Sequence, residues 1–232
     1  MFAPDEQEPA SSGRLLRRIW HASGPSVDAS LAGGGADVGV YFAERGGPRA
    51  ASSEWAYPLL HQLLVDLGHV GRDKLQLARR ACSACGGLHG KPILPTVPRL
   101  SFNLSRRGRG LLIAVGVGVE VGVDLEELRS DWTNGDEAFV LSGAELAQPE
   151  LEVPLAEFLT RQWTRKEAYL KGTGDGLNVE MSSVHIRRPK GPAGSIFEAP
   201  QGWCVRDLKL DVPDYVGAIA TAPRRRASGG RL

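Results

Sequence analysis

Short apolar runs dominate the middle of the chain: Leu100–Leu104, Leu111–Val115 and Glu120–Leu125, separated by glycine and arginine. Runs of this length bounded by turn residues predict strands. Asp37–Phe42, just after Gly33-Gly34-Gly35, has the same character, and Val184–Ile186, Trp203–Leu208 and Tyr215–Ala220 predict strands late in the chain. Two stretches follow a helical period instead. Residues 52–67 begin on serine and stop at Gly68, with Pro58 expected to kink or delay the helix. Leu155–Lys171 is broadly amphipathic, begins after Pro154 and stops at Gly172. Strands and helices mixed in this way predict an α+β fold. Each half holds a helix and several strands, without a detectable internal repeat, and the Gly116–Glu120 segment is where we expect the chain to divide. That gives a polar, loose start (1–13), an N-terminal subdomain (14–118), a C-terminal subdomain (119–222) and a loose end (223–232) with four arginines.

Length and charge narrow the classes. A chain of 232 residues can bury a substantial core as one large or two small domains. Its 28 Lys+Arg against 27 Asp+Glu leave a formal net charge of +1, so nothing electrostatic calls for a nucleic-acid or membrane-surface partner. The longest apolar run, Gly110–Val119, is ten residues, and a membrane span needs about twenty. The acidic start (MFAPDEQEP) has no apolar core of a secretory signal, so the expected location is cytoplasmic. Cys82, Cys85 and Cys204 make no disulfide framework. Cys82-Ser-Ala-Cys85 followed by His89 invites a zinc reading with Cys204 as a distant fourth ligand. The second close ligand pair usual in structural zinc sites is missing, which favours reduced, partly buried thiols near a turn.

Two segments carry candidate chemistry. In the strand Val121–Glu127, alternation puts Asp124 and Glu126 on one face, where they are either a solvated strand end or a paired carboxylate site. In the helix, Trp163, Glu167 and Lys171 are four apart and share a face, with Glu167 and Lys171 also spaced as an ordinary surface ion pair. Together, Asp124, Glu126 and Glu167 form a hard oxygen set suited to magnesium, with Lys166 and Lys171 as nearby phosphate-holding cations. Without a cation, three converging carboxylates would repel and push at least one towards protonation. A metal bridging phosphates among lysines is the apparatus of phosphoryl-type transfer.

In these residues the chain resembles the 4′-phosphopantetheinyl transferases of the surfactin-synthetase-activating type. Gly122-Val123-Asp124 is followed, 43 residues from Asp124 to Glu167, by Trp163-Thr-Arg-Lys166-Glu167-Ala-Tyr-Leu-Lys171. His89-Gly90-Lys91-Pro92 resembles the family's Gly-Lys-Pro segment, Phe102-Asn103-Leu104-Ser105 its Phe-Asn-x-Ser segment, and Leu141-Ser-Gly-Ala-Glu145 its short acidic helix. The chain departs from the pattern at Arg106, where the family usually has a histidine that contacts the 3′-phosphate of coenzyme A; a guanidinium can keep that contact.

The resemblance implies two similar α+β subdomains related by a pseudo-twofold, with coenzyme A in the cleft between them. It implies transfer of the phosphopantetheine arm to a serine of an acyl or peptidyl carrier protein by a monomer, releasing adenosine 3′,5′-bisphosphate. Asp124, Glu126 and Glu167 would hold Mg²⁺, Lys171 would neutralise the leaving phosphate, and Lys166 would assist phosphate binding. Glu145 would be the general base, with Glu167 the competing assignment. Arg80, Lys91, Ser105 and Arg106 would contact the nucleotide. Ser105 is equally readable as a backbone cap and Lys91 as a turn lysine. Rival functions are a magnesium-dependent hydrolase, a coenzyme A-binding protein without turnover, and a zinc-stapled interaction module.

Overall fold

The computed structural model describes residues 16–23, 36–44, 54–73, 75–147, 153–188 and 196–224. The two expected tails, 1–13 and most of 223–232, lie outside the described residues. Strands β1 (Arg17–Ser23), β2 (Asp37–Glu44), β5 (Leu100–Arg107) and β6 (Gly110–Val117) form one antiparallel sheet in the order β1-β2-β6-β5. Strands β7 (Val119–Glu127), β8 (Ile196–Ala199), β9 (Trp203–Leu208) and β10 (Tyr215–Pro223) form a second, in the order β7-β10-β9-β8. A two-residue pair, β3 (Ala78–Arg79) and β4 (Pro92–Ile93), makes a small hairpin. The helices are α1 (Ala56–Asp66), the single-turn α2 (Asp136–Val140) and α3 (Gly143–Ala147), and the long α4 (Leu155–Thr173).

Alternation along the strands sorts the core into layers. Val38, Val40, Phe42, Leu112 and Ala114 of the first sheet meet Val119, Val121, Val123, Leu125 and Ile219 of the second. The opposite face of the first sheet, with Leu111, Ile113 and Val115, packs on Leu60, Leu63 and Leu64 of α1. The outer face of the second sheet is small, with Ala218, Ala220 and Ala222, and takes Ala168, Tyr169 and Leu170 of α4. The order is therefore helix, sheet, sheet, helix, and each fully buried aliphatic side chain contributes about 1.5–3 kcal/mol of apolar burial.

β5 and β7 are joined through side chains. Ser101 Oγ, Asn103 Oδ1 and Ser105 Oγ accept from the backbone N–H groups of Val121, Val123 and Leu125 at 3.2, 3.0 and 3.1 Å. Both series advance by two, so the strands run parallel and the alternate polar residues of β5 stand in for backbone acceptors.

Most expected elements are present, with informative shifts. The first helix begins at Ala56, so Pro58 falls in its first turn, where the missing N–H has no intrahelical partner to lose. α4 runs two residues past the expected end, to Thr173, and Gly174, with a φ of 91°, provides the left-handed cap. Gly172 serves a different purpose: a Cβ on it would lie 2.5 Å from the Trp203 ring, and one on Gly122 would lie 2.1 Å from the Ala168 carbonyl oxygen. These two glycines let α4 and β7 touch backbone to backbone. Val184–Ile186 is not a strand; only Arg187 bridges to Glu198 beside it. β1 and β8 escaped sequence reading because their apolar runs are short and mixed with charge. Among the described residues no helix is long and apolar enough to cross a membrane.

Candidate active site

β7 and α4 lie antiparallel, so every two residues on the strand meet about four on the helix. A two-residue strand step and one helical turn are both roughly 5–7 Å, which keeps the rows in register. Gly122 faces Ala168 and Gly172, Asp124 faces Lys171, and Trp163 lies beside Glu126. The structure thus brings Asp124, Glu126, Glu167 and Lys171 together.

Asp124 is 2% exposed. Its Oδ1 accepts from Lys171 Nζ at 2.5 Å and from Ser105 Oγ at 2.7 Å. Its Oδ2 is buried and has no hydrogen-bond partner, alone among the buried side-chain oxygens and nitrogens of the described residues. Lys171 also reaches Ser105 Oγ at 3.1 Å and Glu167 at 4.0 Å, while keeping 30% of its side chain exposed. Arg107 Nε lies 3.2 Å from Glu126. Burial pushes the Glu126 carboxyl above its ordinary value and the Asp124 charge adds to this, against Arg107 and Lys171. Burial also raises Glu167; Lys171 opposes it, while Asp124 and Glu126 add to it. Carboxylates pushed towards protonation beside a partnerless buried oxygen are short of positive charge. A hard cation fits that deficit, since it takes carboxylate oxygens and relieves their repulsion. The three carboxylates do not gather one oxygen each within 4.8 Å of one another, as Cys82, Cys85 and His89 do with their ligand atoms. An open set of this kind suits a metal that keeps waters and takes phosphate oxygens.

Other predicted residues are placed differently. Lys166, fully buried, spends its three N–H donors on Glu145 Oε2 at 2.6 Å, the Val140 carbonyl at 2.7 Å and the Met181 carbonyl at 3.3 Å. All three are engaged within the protein, and Lys166 ties α4 to its neighbours. Glu145 is engaged with it. Its Oε2 also accepts from Ser142 N at 2.7 Å, closing a capping box on α3, and its Oε1 accepts from Ile186 N at 3.0 Å. A carboxylate so engaged is not a free base for a substrate hydroxyl. Lys91 is likewise internal, with acceptors on Glu120, Val121, Gly172 and Ser101 at 2.7–3.2 Å. Burial lowers its pKa to about 8, although Glu120 works the other way. Burial alone would raise Glu120, but Lys91 and Arg80 overcome it and hold its pKa at about 2. Arg80 binds Glu120 at 2.7 Å and keeps 35% of its side chain exposed. Ser105 points inward and orients Asp124, while Arg106 is exposed at the end of β5.

Sequence reading missed Arg107 and the hub at Glu120. The signal for Glu120 was available: it belongs to the same alternating row as Gly122, Asp124 and Glu126.

Residues 120–220 match the model of the 4′-phosphopantetheinyl transferase superfamily. The match spans a little under half of the chain. The chain is 36% identical over 141 residues to the 4′-phosphopantetheinyl transferase HetI of a Nostoc species, covering 57% of each protein. It is 40% identical over 108 residues to the 4′-phosphopantetheinyl transferase AcpT of Salmonella typhi, covering 44% of this chain and 55% of that one. A 4′-phosphopantetheinyl transferase of Bacillus subtilis is 28% identical over 101 residues, 43% of this chain and 44% of its own. The chain thus spans about half the length of the curated relatives it matches. The matched segment contains Asp124, Glu126, Glu167 and Lys171, and also the Lys166–Glu145 pair; Arg80, Lys91, Ser105 and Arg106 lie before it.

Proposed function

We propose that this protein is an enzyme that transfers the 4′-phosphopantetheine arm of coenzyme A to a serine hydroxyl of an acyl or peptidyl carrier protein, releasing adenosine 3′,5′-bisphosphate. The observation that carries this reading is the buried, partnerless Oδ2 of Asp124 beside two carboxylates whose pKa values are raised. Asp124, Glu126 and Glu167 are the residues that would hold Mg²⁺, which when bound neutralises the pyrophosphate and makes its phosphorus a better electrophile.

The protein's own groups do the rest. The serine oxygen forms a bond to the phosphorus bearing the pantetheine arm, and the bond from that phosphorus to the bridging pyrophosphate oxygen breaks. The bridging oxygen departs with the bisphosphate, and Lys171, part-exposed beside Asp124, neutralises the charge it gathers. The serine proton goes to a carboxylate. Glu167 is the candidate, because burial raises its basicity whereas Glu145 is committed to Lys166. Arg106, exposed and permanently charged, is assigned the 3′-phosphate, with the free edge of Arg80 as a further phosphate contact. In this reading residues 14–118 and 119–222 are two similar subdomains, coenzyme A lies between them, and the protein works as a cytoplasmic monomer. The division is supported by sheets that draw their strands from either side of Gly118.

The test is intact-mass spectrometry of apo carrier proteins incubated with the protein, coenzyme A and Mg²⁺. A gain of one phosphopantetheine arm, about 340 Da, which disappears with Glu167→Ala, is the expected result. No gain on fatty-acid, polyketide and peptide-synthetase carriers while coenzyme A still binds overturns the transferase reading.

A further inference from the structure

The tip of the β3–β4 hairpin has a local architecture that the transfer reaction does not use. Cys82, Cys85 and His89 bring their ligand atoms within 4.8 Å of one another. Cys85 Sγ and His89 Nε2 are 3.0 Å apart. The backbone folds tightly to allow this: Cys82 N donates to the Gly87 carbonyl at 2.8 Å and Gly86 N to the Cys82 carbonyl at 2.9 Å. Gly86 takes a left-handed φ of 73°. A Cβ on Gly87 would fit tightly, 3.1 Å from the His89 ring and 3.4 Å from Cys85 Sγ. The Gly87 N–H is aimed at Cys85 Sγ at 3.4 Å.

We propose that Cys82, Cys85 and His89 bind a thiophilic divalent ion, with zinc the best fit. Two soft sulfurs and an imidazole select zinc-like ions over magnesium or calcium, which need oxygen ligands. Two thiolates against one Zn²⁺ give a neutral unit, and the two thiol protons are released on binding. Cys204 sits on β9 and does not join the group, so the fourth position falls to water. Cys85 and His89 are exposed, which gives the ion an entry path, and Cys82 forms the buried wall.

The consequence lies in what the hairpin holds. Ser83 Oγ donates to Asp175 at 2.8 Å, and Asn178 Nδ2 lies 3.6 Å from Cys82 Sγ, both beyond the end of α4. Lys91, on the returning limb, reaches the Gly172 carbonyl at 3.1 Å. An ion at the tip fixes the hairpin against the end of α4 and holds Arg80 and Lys91 around Glu120. Its role is positioning, separate from the carboxylate site.

The experiment uses the full chain, purified under reducing conditions. Metal content is read by inductively coupled plasma mass spectrometry, and Co²⁺ is titrated into the metal-free protein to look for the near-ultraviolet sulfur-to-cobalt band. The expected result is about one zinc per chain and a saturable sulfur-to-cobalt band. Cys85→Ser combined with His89→Ala, both at exposed positions, should abolish both signals. Glu167→Ala should leave both unchanged, which separates this site from the carboxylates. Hydrogen exchange across residues 80–91 should quicken when the ion is removed. A folded, reduced chain that takes up no zinc and shows no cobalt band overturns the proposal. So does unchanged binding by the double variant, or a Cys82–Cys85 disulfide that forms as readily with zinc present as without.

Discussion

Helix α4 carries two lysines, five residues apart, each paired at similar distance with a carboxylate from another element, and the two pairs differ in burial and in how fully their polar atoms are satisfied. Lys166 with Glu145 is sealed, with side chains 0% and 5% exposed and every donor and acceptor spent on protein. Lys171 with Asp124 is equally short, but Lys171 opens to solvent and Asp124 keeps one buried oxygen without a partner. A satisfied pair costs several kcal/mol to disrupt and does little else. An unsatisfied one holds free energy that a ligand can release. The same contrast separates the Glu120 hub, a carboxylate surrounded by Lys91, Arg80 and Arg224, from the carboxylate group on the same strand face.

Substitutions should pull the two kinds of site apart. The largest expected effect is on turnover: Glu167→Gln should slow carrier modification by about 10³-fold or more, measured as the initial rate of mass gain. The same variant should melt at the same temperature or higher, because burial already disfavours the charged form of Glu167. Glu145→Gln should do the reverse, costing about 3–5 kcal/mol in denaturant unfolding by stranding Lys166, while the folded fraction turns over normally. Lys166→Met added to it should recover much of that loss, and a double variant no more stable than Glu145→Gln alone would break the comparison.

Glu120→Gln should cost about 3 kcal/mol near neutral pH, again by stranding a lysine. Its pH dependence has a definite sign. The folded pKa of Lys91, about 8, is below the ordinary 10.5, so the folded state gives up this proton first. Between those values the unfolded chain binds more protons, and the Lys91 contribution to stability rises with pH. Because Glu120 raises the Lys91 pKa, Lys91 loses its proton at lower pH in Glu120→Gln, and the deficit should shrink as pH rises towards about 8, where Lys91 goes neutral in the wild type too. Glu120 itself, held at about 2 against an ordinary 4.5, contributes stability at neutral pH that is lost as pH falls through that range. The smallest effect is at Arg106: Arg106→Ala should raise KM for coenzyme A several-fold, roughly 1 kcal/mol, with kcat and melting temperature unchanged.

Much of this was legible in the sequence. Strand alternation placed Asp124 and Glu126 on one face, helical spacing placed Glu167 and Lys171 on another, and the fold brings the two faces together. Lys166 lies apart from them because adjacent helix positions point in different directions: it sits beside Glu167 in sequence but faces α2 and α3. Glu145 is engaged for a subtler reason. Ser142-x-x-Glu145 is a capping-box pattern, and the local signal was present, but the partner that neutralises Glu145 comes from 21 residues away. Lys91 and Ser105 turned inward because β5 and β7 lack direct backbone pairing and recruit side chains to join them. That tertiary arrangement has no local signature.

The most direct measurement is a titration of Mn²⁺, as a magnesium surrogate, into protein saturated with coenzyme A, following the free ion by electron paramagnetic resonance. Wild type and Glu145→Gln should bind one ion alike, and Asp124→Asn should bind at least about tenfold more weakly, since it removes the charge behind the unpartnered oxygen. Equal binding by Asp124→Asn and wild type would contradict the claim that Asp124, Glu126 and Glu167 form the cation site.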